Sequence, residues 1–323
     1  MFPSDPAGGL MAYKLEDKMV IGVSSRALFD LTKENEIFEK EGLDAYQSYQ
    51  FEHEKDILAP GPGFSLIKSL LALNDKDPEN PLVEVIIMSR NSTNTSLRVF
   101  NSIKHYGLKI TRAVLASGSS LSPYLHAFKT DLFLSAHEDD VQNAINSGFA
   151  AGYIITDHSY SGATDGSIRI AFDGDAVLFD DASEVIFKEK GLKAFEENEE
   201  INADDPLAEG PFAGFLKKLT WIREKYGQDE CPIRTALVTS RSAPAHERVI
   251  KTLRGWNVRV DEAFFLGGVE KREVLKAFGA QIFFDDQSVH TDPASEEVPS
   301  ARVPYKGGQL GFGGEACTGP GDT

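Results

Sequence analysis

Two long segments of this 323-residue chain repeat one another, and that repeat constrains the fold more than any other feature. NEIFEKEGLDAY at 35–46 lies against EVIFKEKGLKAF at 184–195, pairing Ile37 with Ile186, Phe38 with Phe187, Gly42 with Gly191 and Ala45 with Ala194 at an offset of 149 (186 less 37, 194 less 45). LAPGP at 58–62 then faces LAEGP at 207–211. Further on the register continues at 150 or 151: Ser89-Arg90 faces Ser240-Arg241, Arg98-Val99 faces Arg248-Val249, and Gly118 faces Gly268. A nearly constant offset over so long a stretch implies two copies of one unit, at 19–156 and 168–306. The length agrees, since a single core stops growing near ~250–300 residues. DHSYSGATDGS at 157–167 is polar and glycine-rich, as a linker is. Residues 1–18 read as a flexible N-terminus and 307–323 as a loose Gly-rich tail.

Within a copy, short β-favouring runs alternate with helical periodicity. In the second, IRIAF (168–172), RTALVT (234–239) and AQIFF (280–284) read as strands. FAGFLKKLTWIREKYG (212–227) and ERVIKTLRGW read as helices. Such alternation predicts an α/β fold of two tandem Rossmann-like units with mostly parallel sheets. In sheets of this kind ligands sit at the carboxyl ends of the strands.

Those ends carry the polar chemistry. DGDAVLF follows IRIAF and places Asp173 and Asp175 in one short turn, where two carboxylates repel unless they share a cation. Thr239, Ser240 and Arg241 follow RTALVT, Asp285 and Asp286 follow AQIFF, and Lys271 precedes the last of these strands. The set suits magnesium-assisted phosphoryl transfer. Hard oxygens hold the ion, hydroxyls and a lysine neutralise the phosphoryl charge, and one carboxylate attacks phosphorus while another supplies a proton. A lone DGD is otherwise a common turn, Asp285-Asp286 could cap a helix, and Lys271 in VEKREV could face solvent. Their joint order at three strand ends is what favours chemistry.

The order DGDAV, LVTSR, Lys271, FFDDQ resembles the haloacid dehalogenase superfamily of phosphatases. More narrowly, FDGDAVLF, CPIRTALVTSRSA, DEAFFLGG, IFFDDQ and the early VSSRALFDL are similar to the cytosolic 5′-nucleotidase type I family, from about Val20 to Tyr305. The resemblance implies two haloacid dehalogenase-like units, with a small cap inserted at about 180–210. It also implies a 5′-nucleotidase acting on AMP-like nucleoside monophosphates. Asp173 would be the phosphorylated nucleophile, Asp175 the acid and base, Thr239 a hydrogen-bond donor to the phosphoryl group and Lys271 its charge partner. Mg2+ would be held by Asp173, by the backbone carbonyl of Asp175, and by Asp285 or Asp286. Apart from the resemblance, Ser240 and Arg241 are matched by Ser89 and Arg90 in the first copy, so they read as phosphate neighbours only, and Arg241 could instead form a structural salt bridge.

In the first copy the same offsets put Ser24 at Asp173, Arg26 at Asp175, Met88 at Thr239, Leu121 at Lys271, Ser135 at Asp285 and Ala136 at Asp286. Every chemical position is replaced, which predicts that the first unit is catalytically degenerate. Outside these positions the sequence mainly excludes. A net charge of -17 repels nucleic acid, no run is long and apolar enough for a membrane span, and two distant cysteines indicate neither a disulfide framework nor a zinc site. A cytoplasmic enzyme with a small nucleotide substrate is expected, and homo-oligomerisation is left open. The alternatives are a phosphatase of another small phosphate monoester and a nucleotide-binding regulator with little turnover.

Overall fold

The computed structural model describes residues 13–156, 158, 166–227 and 229–308. The linker 157–167 therefore lies almost wholly outside the described residues, as do 1–12 of the N-terminal segment and 309–323 of the tail. Ten strands are present among the described residues. They are β1 (Met19–Val23), β2 (Val83–Ser89), β3 (Arg112–Leu115), β4 (Leu132–Ser135), β5 (Ala151–Ile154), β6 (Ile168–Phe172), β7 (Ile233–Thr239), β8 (Glu262–Phe265), β9 (Ile282–Asp285) and β10 (Ser300–Arg302). All ten join one sheet, ordered β3-β2-β1-β4-β5-β10-β9-β6-β7-β8.

The order is the same in each half when read from its outer edge: β3-β2-β1-β4-β5 and β8-β7-β6-β9-β10. Pairing is parallel throughout except where β5 meets β10, with Ile154 opposite Ala301 and Tyr153 opposite Arg302. The halves thus share one sheet, closing two edges that would otherwise expose unpaired backbone. The join is close. A Cβ on Gly152 would stand 2.9 Å from the Ala301 Cβ and 3.0 Å from the Phe284 ring. MVIGV of β1 and VEVIIMS of β2 are buried along their whole length, as strands covered on both faces must be, and one apolar core runs through both halves.

Each half also carries a helical hairpin over the C-terminal ends of its strands. In the second, helix Ala182–Ile201 is kinked at Gly191 (φ 80°, ψ 178°). In the first, helices Thr32–Glu41 and Leu43–Glu52 meet at Gly42 (φ 88°, ψ −175°). That backbone region is open essentially to glycine alone, which explains why this residue recurs in the repeat. The segment read as an insertion at 180–210 is therefore matched by a hairpin in the first half. The repeated LAxGP follows each hairpin. Gly61 N donates to Leu28 O and Gly210 N to Leu178 O, each at 2.9 Å, and a Cβ at Gly210 would lie 2.2 Å from Phe179 O.

The strand pairing corrects one register read from the sequence. Met19 pairs with Val83 and Ile168 with Ile233, so β7 matches β2 at an offset of 150 (233 less 83), not 151. The Arg241 amide donates to Thr239 Oγ1 as the Asn91 amide donates to Ser89 Oγ. The counterpart of Thr239 is thus Ser89, not Met88, and that of Arg241 is Asn91, not Arg90. The first half keeps a hydroxyl at this strand end.

Candidate active site

Asp173, Thr239 and Asp285 come together because β6, the central strand of the second half, lies between β7 and β9 and all three point the same way. The Asp173 amide donates to Phe284 O at 2.8 Å, fixing the start of the DGDAV turn beside β9. This turn is one residue longer than its counterpart. Phe179 N reaches back five residues to Gly174 O, whereas Phe29 N reaches back four to Ser25 O. The extra residue is absorbed as a π turn with Ala176 at φ 59°, a feature that occurs often at functional sites. Gly174 lies against Thr239, whose Oγ1 would be 3.2 Å from a Cβ there.

Lys271 is the hub. Its ammonium lies 2.8 Å from Asp173 Oδ1 and 2.6 Å from Asp285 Oδ2, and the side chain is 1% exposed. Burial works to lower its pKa, but the charges and hydrogen bonds of Asp173 and Asp285 win and raise it. The carboxyls around it are crowded. Burial first, then the neighbouring carboxylates against the pull of Lys271, pushes Asp173 up to about 7. Burial, with Asp285, Asp173 and Glu184 adding to it, pushes Asp286 to about 8, and burial also raises Asp285.

Oxygens of Asp173, Asp285 and Asp286 all lie within 4.8 Å of one another. Asp285 Oδ1 accepts from the Gln287 amide at 2.9 Å. Asp286 Oδ2 accepts from the Tyr305 hydroxyl, while its Oδ1 is buried with no hydrogen-bond partner. A buried, all-oxygen, anionic set with an orphaned carboxylate oxygen fits a hard divalent cation.

Asp175 is held apart from this cluster. Both its oxygens accept from Arg241, at 2.8 and 2.6 Å, and Arg241 in turn donates to the buried Glu199 at 2.5 Å. Glu199 also accepts from Ser183 and Arg248, at 2.8 and 3.0 Å, tying the helical hairpin to the turn that carries Asp175. Burial opposes the charge of Arg241, and Asp175 and Glu199 more than restore it, so its pKa is raised. Arg241 is thus set first as the partner of Asp175. Ser240 is exposed, and its side chain forms no hydrogen bond to the cluster among the described residues.

Sequence reasoning did not find Glu199, Glu184 or Tyr305. Glu184 lies 2.8 Å from the Tyr305 hydroxyl, whose single proton it shares with Asp286, accepts from Gln287 Nε2 at 3.1 Å, and pairs with Lys188 at 2.7 Å. Both glutamates sit in charged helical sequence indistinguishable from a solvated face. Tyr305 follows a strand too short to read.

A family model described as 5′-nucleotidase matches residues 11–309. Cytosolic 5′-nucleotidase 1B of Homo sapiens is 40% identical over 291 residues, covering 87% of this chain and 48% of that protein. The chain spans about half the length of that relative. No solved structure gives a significant match. Among the described residues no helix is long and apolar enough to cross a membrane.

Proposed function

The chain belongs to the 5′-nucleotidase family, and from that membership we propose that it is a magnesium-dependent phosphatase hydrolysing nucleoside 5′-monophosphates, AMP-like ones foremost, through an aspartyl-phosphate on Asp173. The observation that carries this reading is Lys271, buried between the carboxylates that end β6 and β9. A buried ammonium with two carboxylates beside an orphaned carboxylate oxygen is costly as mere structure, and it is apt for receiving a phosphoryl group. Two haloacid dehalogenase-like units, 19–156 and 168–306, are supported by their matching strand orders. Degeneracy of the first is supported by Ser24, Leu121, Ser135 and Ala136 at the chemical positions.

Asp173, Asp285 and Asp286 would hold the ion, with the Asp175 carbonyl. When bound, Mg2+ supplies Lewis-acid charge neutralisation at a phosphate oxygen. The steps belong to the chain. An Asp173 carboxylate oxygen attacks phosphorus as the P–O5′ bond breaks, and the Asp175 carboxyl gives its proton to the departing oxygen. The nucleoside leaves. Asp175 then takes a proton from water, which attacks the phosphoaspartate and frees Asp173 as the P–Oδ bond breaks. Lys271 and Thr239 hold the phosphoryl oxygens during both steps. Because Arg241 occupies both Asp175 oxygens, the carboxyl must turn from Arg241 to serve as the acid. A cytoplasmic location is proposed by analogy with the relative named cytosolic.

The test is phosphate release from nucleoside monophosphates and sugar phosphates with Mg2+ or with EDTA. Metal-dependent release from AMP, abolished in Asp173→Asn, is expected. Faster release from sugar phosphates would move the substrate class, and release unaffected by EDTA would remove the mechanism.

A further inference from the structure

A cavity of about 590 Å3 opens in the first half at the C-terminal ends of β1, β2 and β4, the place that the carboxyl cluster occupies in the second. Its size is that of small-molecule sites, which run to ~300–1,000 Å3. Its chemistry is the reverse of the other half's. Ser24, Ser89 and Ser135 line it where Asp173, Thr239 and Asp285 stand opposite, and Ala136 replaces Asp286.

Each of these serine oxygens already accepts a backbone amide. Ser24 Oγ accepts from Ala27 at 3.2 Å and Ala136 at 3.3 Å, Ser89 from Asn91 at 3.1 Å, and Ser135 from His137 at 3.1 Å. Their hydroxyl protons have no acceptor among the described residues, so the floor of the cavity offers donors and calls for an acceptor-only ligand.

The charges agree. Of the acidic residues in the wall, Asp140 pairs with Arg90 at 2.7 Å and Glu34 pairs with Arg98. Arg26 stands in the turn that corresponds to the one bearing Asp175. Because Asn91 holds the place of Arg241, neither of the paired groups of the second half survives here. Arg26 has no carboxylate within salt-bridge distance among the described residues, so a cation is left uncompensated in a chain of net charge -17. At the mouth, Phe38 and Leu43 are 48% and 55% exposed, and Phe38 packs edge-on against Tyr46 with ring centroids 5.9 Å apart. These offer an apolar and aromatic surface to a planar ring.

We infer that this cavity is a second, metal-independent binding site for an organic phosphate bearing a ring. Its phosphate lies among Arg26, Ser24, Ser89 and Ser135, and its ring lies against Phe38, Leu43 and Tyr46. Nothing in this inference depends on the reaction proposed above, because the site lacks the carboxylates that would hold an ion.

The test is calorimetric titration of the full chain carrying Asp173→Asn, in EDTA, with AMP as the probe. One binding event is expected, weakened at least tenfold by Arg26→Ala and less by Arg26→Lys, with the thermal midpoint of both variants unchanged. Adenosine and inorganic phosphate should each bind at least tenfold more weakly than AMP. The site is refuted if AMP does not bind without metal, or if its affinity is the same in Arg26→Ala. Adenosine binding as tightly as AMP would refute the phosphate pocket, and inorganic phosphate binding as tightly would refute the ring surface.

Discussion

Replacing Lys271 by methionine isolates the contribution of the buried hub. The ammonium is 1% exposed and lies 2.8 and 2.6 Å from two carboxylates that are themselves buried, so no solvent screening discounts the contacts. Removing one partner of a buried ion pair costs about 3–5 kcal/mol, because it strands the other charge rather than because the pair is intrinsically strong. Here the stranded charges belong to Asp173 and Asp285, with Asp286 beside them. Against a typical stability of about 5–15 kcal/mol the loss is large. At roughly 2–4 °C per kcal/mol it lowers the thermal midpoint by about 6–20 °C. The assay is thermal unfolding of Lys271→Met and wild type in EDTA and in saturating Mg2+. In EDTA the variant should melt well below wild type. Mg2+ should narrow the gap, since a cation among the carboxylates replaces part of the lost charge. Lys276→Met is the control: that lysine is 56% exposed and pairs with Glu297 at 2.9 Å, so it should shift stability by less than about 1 kcal/mol. A Lys271→Met protein melting within experimental error of wild type in EDTA, or a gap indifferent to Mg2+, would refute the reasoning.

Three further outcomes are expected. Asp173→Asn relieves carboxyl crowding, so it should keep the EDTA melting midpoint of wild type or exceed it, while phosphate release falls by about 1,000-fold or more. Gly210→Ala should cost about 1–3 kcal/mol in chemical denaturation, because its Cβ would meet Phe179 O at 2.2 Å and Val177 O at 2.6 Å and backbone must move. Burial raises the pKa of Asp131 above its ordinary 3.8, against the amide of Val20 and the charge of Lys218. The folded chain therefore holds this proton to higher pH than the unfolded chain, and the ionised group penalises folding. Asp131→Asn should then raise the melting midpoint at neutral pH, and its advantage should vanish below the ordinary value.

Much of the candidate site was legible because strands buried on both faces read as continuous apolar runs, and what interrupts them is conspicuous. IRIAF, RTALVT and QIFF end in Asp173, Thr239 and Asp285, and the chain places them side by side in the sheet. What stayed hidden was short or depended on topology. β10 spans only Ser300–Arg302, so neither the join to β5 nor the approach of Tyr305 to Asp286 has a sequence signal. Glu199 looks like any acid in EENEE, and only the fold of the helical hairpin brings it to Arg241. The register of β7 slipped by one because Ser-Arg occurs in both copies and outweighed the pairing that hydrogen bonds impose. That slip hid the retained hydroxyl at Ser89, and with it the donor-lined cavity.

The most direct test of covalent chemistry at the β6 tip is acid quenching of the wild-type chain during turnover of AMP with Mg2+, followed by mass mapping of the phosphorylated peptide. Phosphate should be found on Asp173 as a hydroxylamine-labile acyl phosphate, absent from Asp173→Asn and from the EDTA control. Turnover with no phosphopeptide under quench conditions that preserve acyl phosphates, or a label on any other residue, would contradict the assignment.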